Sequence, residues 1–312
     1  MARQPDAPGM HGVLVVAKPA GPTSHDVVAL VRRLAATRRI GHGGTLDPFA
    51  SGVLPLFLGG ATRLVEYHLA DDKAYRATIC FGASSTTDDL DGELTAIEGA
   101  PSPGREMAVA GLAGFLGEQL QQPPVYSAVQ VGGRRAYALA RAGEAVDLPP
   151  RRVVLHGLDL VEWDDRDPAR PIAIVDVRCS AGTYVRSLAR DLGARLGCGA
   201  YLGALVRTAS GPFNLEAARS LDAIRAVAAA SGPDGILELL LPSDAGLDAL
   251  PAVALTAAEI TDAVQGRFVR PSGGLHGVGD ASPLRLVDAA GLIVGMGRRE
   301  GGRIAPTKIL PR

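Results

Sequence analysis

The segment GHGGTLDP, residues 41–48, constrains this chain more than any other part of its sequence. Its glycines let the backbone adopt conformations that other residues avoid and let it approach a ligand closely. Pro48 fixes its own φ angle and biases Asp47 toward extended geometry. The pattern therefore predicts a rigidly aimed carboxylate beside an open space. On spacing alone, a tight surface turn in which Asp47 accepts a backbone hydrogen bond remains an open alternative.

Strands and helices are predicted in mixed order around this loop. A short strand over 12–17 is followed by a helix that begins at Thr23 or Ser24 and is apolar on one face. A second helix is predicted from Thr183. Alternating or apolar runs predict strands or buried segments at 53–58, 75–81, 153–163, 172–179 and 201–207. Because strands and helices do not alternate strictly, we predict an α+β fold with a central, largely antiparallel sheet flanked by helices.

A smaller second domain is predicted toward the end of the chain. The stretch 242–251 contains prolines at both ends and is a plausible hinge. Beyond it we predict one helix over 256–265 and three strand-like runs at 284–287, 292–296 and 303–310. We therefore expect a large domain over 1–245 and a small β-rich domain over 250–312, which suits a chain of 312 residues.

Charge is unevenly distributed along the chain, although the formal net charge is only −1. Residues 84–100 carry only acids, whereas residues 265–312 carry eight basic and three acidic residues. An irregular stretch over 119–150 adds Arg134, Arg135 and Arg141. A near-neutral total can therefore hide a basic face suited to nucleic acid.

Cysteine, histidine and hydropathy patterns narrow the class of protein further. Three cysteines without paired spacing argue against a disulfide framework, and six histidines show no metal-ligand spacing. No signal peptide or membrane-spanning run is visible in the sequence. We expect a cytoplasmic protein that is a monomer and does not associate with a membrane.

Four ordered segments give the chain a specific resemblance. They are VAKPAG at 16–21, GHGGTLDPFASGVLPLFLGGATR at 41–63, KAYR at 73–76 and CSAGTYVR at 179–186. Together they resemble the TruB family, the bacterial tRNA pseudouridine-55 synthases. Two residues depart from the family pattern: Gly43 stands where threonine is usual, and Arg63 where lysine is common.

The resemblance implies a pseudouridine-synthase-type catalytic domain over 1–245, with a basic RNA-binding insertion at about 119–150 and a PUA-like RNA-binding domain over 250–312. It implies that uridine 55 in the TΨC loop of tRNA is isomerised. The base would be flipped out of the loop, its C1′–N1 bond broken and the base rejoined through C5. This chemistry requires no metal and no cofactor.

The resemblance also assigns roles to individual residues. Asp47, Tyr75 and Arg186 are expected to be catalytic, with Arg186 favouring the charged carboxylate of Asp47. The expected RNA-binding residues are Lys18, His42, Gly43, Lys73, Tyr184, Arg134, Arg135 and Arg141. Some alternatives stay open: Lys18 either holds the loop or contacts a phosphate, and Tyr184 either packs beneath the base or fills the core. Asp47 acts either as a nucleophile or as a base.

Two other functions share much of this pattern. One is an RNA-binding protein that helps tRNA fold, with catalysis secondary. The other is a pseudouridine synthase for a different RNA. An acid loop with an aligned tyrosine and arginine favours an enzyme over a pure binder, because a buried carboxylate would repel a polyphosphate.

Overall fold

The computed structural model describes residues 9–127, 130–131, 134–136, 139, 148–275 and 277–311. Within this part of the chain the strands, in order, are β1 Gly12–Lys18, β2 Ile40–His42, β3 Ser51–Leu58, β4 Lys73–Phe81, β5 Ala83–Ser85, β6 Leu94–Ala96, β7 Gly117–Gln121, β8 Gln130–Val131, β9 Arg134–Arg135, β10 Arg151–Asp164, β11 Ile172–Cys179, β12 Ala200–Ser210, β13 Phe213–Asn214, β14 Arg219–Ser220, β15 Ala252–Ala254, β16 Pro283–Val287, β17 Ile293–Glu300 and β18 Arg303–Ile309. The α-helices are α1 Ser24–Leu34, α2 Glu66–Leu69, α3 Arg105–Ala113, α4 Val185–Leu196, α5 Leu221–Glu238 and α6 Ala257–Val264, and residues Gly59–Leu64 form a 3₁₀-helix.

The central sheet is mixed and largely antiparallel, as predicted. Its main path runs in the order β14-β1-β3-β12-β4-β11-β10-β7, and β2 and β13 pair with β3 and β12. Only β1 with β14 and β3 with β12 pair in parallel within this sheet. The predicted pairing of the strands at 153–163 and 172–179 is confirmed by the β10–β11 ladder. The segments that carry the sequence motifs thus meet in the centre of one sheet.

Helices cover the sheet because each has one apolar stripe. Thr23 caps α1 and forms a capping box with Asp26, and Val27, Val28 and Val31 are buried on the helix face that meets the sheet. Helices α3 and α4 pack on a second core with β4, β11 and β12. Two helix-covered cores therefore fix the strands on both sides of the loop at 41–48.

Helices α2, α3 and α5 were not predicted, and α4 begins later than predicted. The helix expected from Thr183 begins at Val185, because Tyr184 is held extended as its N-cap residue. The long helix α5 was not predicted, since its alanine-rich sequence lacks a clear apolar period and contains Gly232 and Pro233. The helix kinks at Gly232, whose φ is 61°.

The C-terminal β-rich domain is a four-stranded sheet in the order β15-β16-β17-β18, with α6 packed beside it. Its predicted helix and three predicted strands are confirmed, and β15 is an additional parallel strand. The stretch expected to be a hinge is fastened to this domain: Leu247 packs with Met296, and Asp244 pairs with Arg285 at 3.1 Å. Arg63 donates a hydrogen bond to the Ile309 carbonyl and joins the two domains.

Candidate active site

The loop that carries Asp47 is held at both ends by neighbouring elements. The hydroxyl of Ser24, the first residue of α1, accepts a hydrogen bond from Leu46 N at 2.9 Å and lies 3.1 Å from Leu46 O, to which it donates. Gly21 N donates to Pro48 O at 2.8 Å. Gly44 has a φ of 124°, in the region that favours glycine. Asp47 therefore projects from a fixed backbone, and its side chain remains 38% exposed.

Arg186 lies in the first turn of α4 and meets Asp47 directly. Its Nη2 is 2.9 Å from Asp47 Oδ2, while its own side chain is only 6% exposed. The guanidinium also donates to the carbonyl oxygens of Thr87 at 3.2 Å and Tyr126 at 3.0 Å. A guanidinium fixed by backbone acceptors has one orientation, so it holds the Asp47 carboxylate in one orientation as well.

A second carboxylate, which the sequence did not reveal as a site residue, shares Arg186. Asp89 Oδ2 lies 3.2 Å from Arg186 Nη1, and its side chain is 5% exposed. In the sequence, the stretch around it stands out only by its acidic charge. One turn further along α4, Arg190 pairs with Asp88 at 2.9 Å, so two arginines clamp this loop to the helix. The run of acids is therefore partly a buried structural element of the site.

Burial and charge oppose each other at Asp47. Loss of solvent raises the pKa of the Asp47 carboxyl above its ordinary value, and the nearby Arg186 guanidinium acts in the opposite direction. The charge of Asp89 raises the Asp47 pKa further. Arg186 thus opposes the effect of burial and favours the ionised form of Asp47.

Tyr75 lies on β4 beside the apolar core, as its alternation predicted. It is partly buried against that core, whose members include Val177 from the neighbouring strand. Burial raises the pKa of the Tyr75 phenol, and the Arg207 guanidinium opposes that shift. The charge of Asp47 also raises the Tyr75 pKa, which places the two groups within electrostatic reach of each other.

Both lysines expected to bind RNA lie in the interior. Lys18 is 1% exposed and donates to the carbonyls of Pro19 at 2.8 Å, Pro48 at 3.2 Å and Ala50 at 2.7 Å. Its three hydrogens are used by these carbonyls, which favours the loop-holding role over a phosphate contact. Burial lowers the Lys18 pKa to about 8. Lys73, 8% exposed, donates to Asp71 O at 2.8 Å and so also holds a turn.

Three further expected RNA-binding residues are His42, Gly43 and Tyr184. His42 ends β2 half-buried, and its Nδ1 is buried without a partner among the described residues. Burial lowers the His42 pKa, so the ring is mainly neutral near pH 7. Gly43 is buried, and an added Cβ would meet Phe57 at 3.3 Å. The Tyr184 backbone is held by the Gln121 amide through bonds of 2.8 and 3.0 Å, and the Arg151 guanidinium lies over its ring.

The basic stretch between β7 and β10 is described only in part. Arg134 is exposed in the hairpin formed by β8 and β9. The backbone of Arg135 belongs to the same hairpin, while its side chain and the whole of Arg141 lie outside the described residues. The phosphate contacts expected from these arginines therefore stay a prediction.

Neither a membrane-spanning helix nor a cluster of metal ligands is present in the described ranges. No helix there is long and apolar enough to cross a membrane. Within the same part of the chain, histidine, cysteine and carboxylate side chains do not assemble into a group of three or more that could hold a metal ion.

The fold is that of the pseudouridine synthases. A chain in a solved structure of an H/ACA ribonucleoprotein bound to a substrate RNA containing 2′-deoxyuridine superposes with a TM-score of 0.72 at 22% identity, covering 97% of this chain and 86% of that one. A chain of a Cbf5–Nop10–Gar1 complex gives the same TM-score at 26% identity, covering 96% and 85%.

Sequence comparison defines the family. A model of the TruB family pseudouridylate synthase N-terminal domain matches residues 32–185, and one of the tRNA pseudouridylate synthase B C-terminal domain matches 186–248. The tRNA pseudouridine synthase B of Thermobifida fusca is 42% identical over 96% of this chain and 98% of its own length. That of Symbiobacterium thermophilum is 47% identical over 82% of each chain. The chain belongs to the TruB family of pseudouridylate synthases.

Proposed function

We propose that this chain is a tRNA pseudouridine synthase that isomerises uridine 55 in the TΨC loop, acting as a cytoplasmic monomer. The observation that carries the proposal is the ion pair between Asp47 and Arg186, set in a loop whose sequence is that of the family. The relatives at 42% and 47% identity are both named tRNA pseudouridine synthase B, which supports tRNA as the substrate.

The reaction is an isomerisation, so its atoms balance within the substrate. The C1′–N1 bond breaks, the C5–C1′ bond forms, C5 loses its proton and N1 gains one. Asp47 acts at the sugar–base junction as nucleophile or base, and either role requires the ionised carboxylate. Arg186 keeps it ionised and aimed, because its guanidinium is itself fixed by two backbone carbonyls.

The target uracil must leave the stacked loop to reach Asp47. Extrusion costs a few kcal/mol, which stacking and hydrogen bonds in the pocket offset. We propose that the Tyr75 ring stacks on the flipped base and that its hydroxyl helps to remove the C5 proton. His42 is neutral and has an unused Nδ1, which suits a hydrogen bond to a flipped nucleotide.

The domain proposals follow the sequence predictions. We propose a catalytic domain that ends near residue 245. Its insertion at about 119–150 would bind tRNA phosphates through Arg134, Arg135 and Arg141. The C-terminal β-rich domain would add a further, PUA-like RNA grip. Lys18 and Lys73 serve this function from inside, by holding the loops that present Asp47 and Tyr75.

Pseudouridine mapping tests the proposal and separates it from its alternatives. Total RNA from cells with and without this protein is compared, and a tRNA transcript is incubated with the purified chain. We expect pseudouridine at position 55 only where the protein is present. Pseudouridine confined to another RNA would identify a synthase of different specificity. Binding without any pseudouridine would identify an RNA-folding protein instead.

A further inference from the structure

Arg207, on β12, is a buried cation that the proposed chemistry does not use. It is 1% exposed and is among the largest fully buried side chains of the chain. Among the described residues no carboxylate lies within salt-bridge distance of its guanidinium, and all of its hydrogen bonds go to neutral oxygens. Burying a charge without a counter-charge costs free energy, so a neutral side chain of similar volume would be the more stable choice.

The acceptors of Arg207 belong to both halves of the active site. Its Nη2 donates to Gly44 O at 3.1 Å and its Nη1 to Thr45 O at 3.3 Å, directly before Leu46 and Asp47. Tyr75 lies directly opposite Arg207 in the antiparallel β4–β12 ladder, and the Arg207 guanidinium opposes the rise of the Tyr75 pKa that burial causes. One planar group therefore binds the acid loop and lies beside the strand residue Tyr75, although β3, the 3₁₀-helix and α2 separate the two in the sequence.

The backbone around Arg207 is built to bring it this close. Strands β12 and β3 pair in parallel with Arg207 opposite Gly52. Gly52 has a φ of 111°, and a Cβ there would lie 2.2 Å from Arg207 O. The Arg207 Nε donates to Val53 O at 2.7 Å, which fixes the inner end of the guanidinium. The other buried cation of the loop, Lys18, donates only to backbone carbonyls.

We propose that Arg207 is a positioning residue for pseudouridine formation: its guanidinium fixes the Tyr75 hydroxyl relative to the loop that carries Asp47. In the proposed arrangement the arginine donates and the Tyr75 oxygen accepts, so the phenolic hydrogen points away from Arg207. The hydroxyl is thereby oriented before substrate arrives. This inference rests on the proposed function, in which Tyr75 and Asp47 act on the same nucleotide.

A double-mutant cycle on the chemical step tests the proposal. The variants are Arg207→Lys, Tyr75→Phe and the combination, in single turnover at saturating enzyme on a tRNA transcript. We expect Arg207→Lys to be slower by about tenfold or more with unchanged tRNA affinity, since lysine keeps the charge but loses the planar set of donors. In the Tyr75→Phe background the same change should have almost no effect on the rate. Equal factors in both backgrounds, or a parental rate for Arg207→Lys, would overturn the proposal.

A spectroscopic measurement reports the contact without any activity. Tyrosine labelled at ¹³Cζ gives a Tyr75 signal that is assigned by its loss in Tyr75→Phe. We expect this signal to move in Arg207→Lys while the other tyrosine signals stay. Arg76→Lys is the matched control, because Arg76 is the next residue of β4, is exposed and pairs with Asp176. A Tyr75 signal that moves equally in both variants, or in neither, contradicts the contact.

The single-turnover rate and the ¹³Cζ signal of Tyr75 together distinguish failure of this proposal from failure of the proposed function. If the parent chain forms no pseudouridine in tRNA, the proposed function fails, while the ¹³Cζ signal still decides whether Arg207 orients Tyr75. If Arg207→Lys does not fold, Arg207→Gln, which keeps a planar donor without the charge, takes its place in both measurements. A slow rate at unchanged tRNA affinity supports the positioning role, and a parental rate overturns it.

Discussion

The active-site residues Arg186 and Arg207 and the exposed arginines of the C-terminal β-rich domain are used in opposite ways. Arg186 and Arg207 are 5% and 1% exposed, and both bind backbone carbonyls far away in the sequence. In the C-terminal domain, Arg298 is 53% exposed and pairs with Glu300 two residues away, and Arg267 pairs with Asp262 in the same manner. Exposed pairs contribute only about 0–1 kcal/mol, whereas removing one partner from a buried pair costs about 3–5 kcal/mol.

Because buried and exposed arginines differ in this way, a count of basic residues does not identify the functional site. The basic excess of residues 265–312 is partly neutralised by neighbouring acids, whereas the acidic stretch near residue 89 supplies a buried partner to Arg186. Burial thus concentrates the consequences of substitution in the catalytic domain. Four substitutions test this contrast between buried and exposed residues.

The largest effect is expected at Asp47. Asp47→Asn keeps the size of the side chain and removes the charge, so the reaction loses its acting group. We expect no measurable pseudouridine in single turnover, with tRNA affinity unchanged or improved because a negative group near phosphate is gone. Turnover above a few per cent of the parent rate would remove Asp47 from the chemistry.

The second-largest effect is expected at Arg186, the ion-pair partner of Asp47. Arg186→Lys keeps a positive charge but cannot serve Asp47, Asp89 and two carbonyls at once. Loss of one hydrogen bond to a charged group, about 1.5–3 kcal/mol, corresponds to a rate roughly 10–100-fold lower. Single-turnover assays at saturating enzyme measure this. A normal rate would make the ion pair a structural contact only.

The third substitution changes the pH dependence. The charge of Asp89 raises the Asp47 pKa, so Asp89→Asn should lower that pKa and move the acid limb of the rate profile to lower pH. The rate on the plateau should fall by about tenfold, because Arg186 loses one of its fixed partners. The exposed Glu93 in the same loop provides the control variant Glu93→Gln. An acid limb at the same pH in Asp89→Asn and the parent would contradict this coupling.

The smallest effect is expected in the C-terminal domain. Arg270 is exposed and has no ion-pair partner among the described residues, whereas Arg298 is paired. If Arg270 contacts a phosphate, Arg270→Ala should make the slope of log K against log[salt] shallower by about one unit, at an unchanged chemical rate. Arg298→Ala should leave the slope almost unchanged. Identical slopes for both variants and the parent would exclude Arg270 as a phosphate contact.

Much of the site could be predicted because its residues lie in ordered motifs. Asp47, Tyr75 and Arg186 were chosen from segments whose order and spacing match the family, and the strands followed from alternation along the chain. The supporting residues could not be predicted in this way. Ser24, Asp89 and Arg207 act through contacts that only the folded sheet brings together. Ser24 bonds to Leu46, which is 22 residues away. Arg186 bonds to Thr87 in the Asp89 loop, 99 residues away, and Arg207 bonds to Gly44, 163 residues away.

The lysines show the same limitation from the other side. Lys18 and Lys73 fall inside family motifs, and the resemblance implies that they bind RNA, with support of the loop as the open alternative for Lys18. Whether a lysine faces solvent or the interior depends on packing that the sequence does not contain. The structure places both ammonium groups on backbone carbonyls: Lys18 supports the acid loop, and Lys73 supports the turn before β4.

We propose that the chemistry depends on the ion pair between Asp47 and the buried Arg186, and that the C-terminal domain only adds affinity. The most direct measurement combines rate and affinity for two full-length variants, Asp47→Asn and Arg270→Ala, on the same tRNA transcript. We expect Asp47→Asn to lose the single-turnover rate and keep its Kd, and Arg270→Ala to keep the rate and bind more weakly with a shallower salt dependence. A retained rate in Asp47→Asn, or a lost rate at saturating enzyme in Arg270→Ala, would contradict the account.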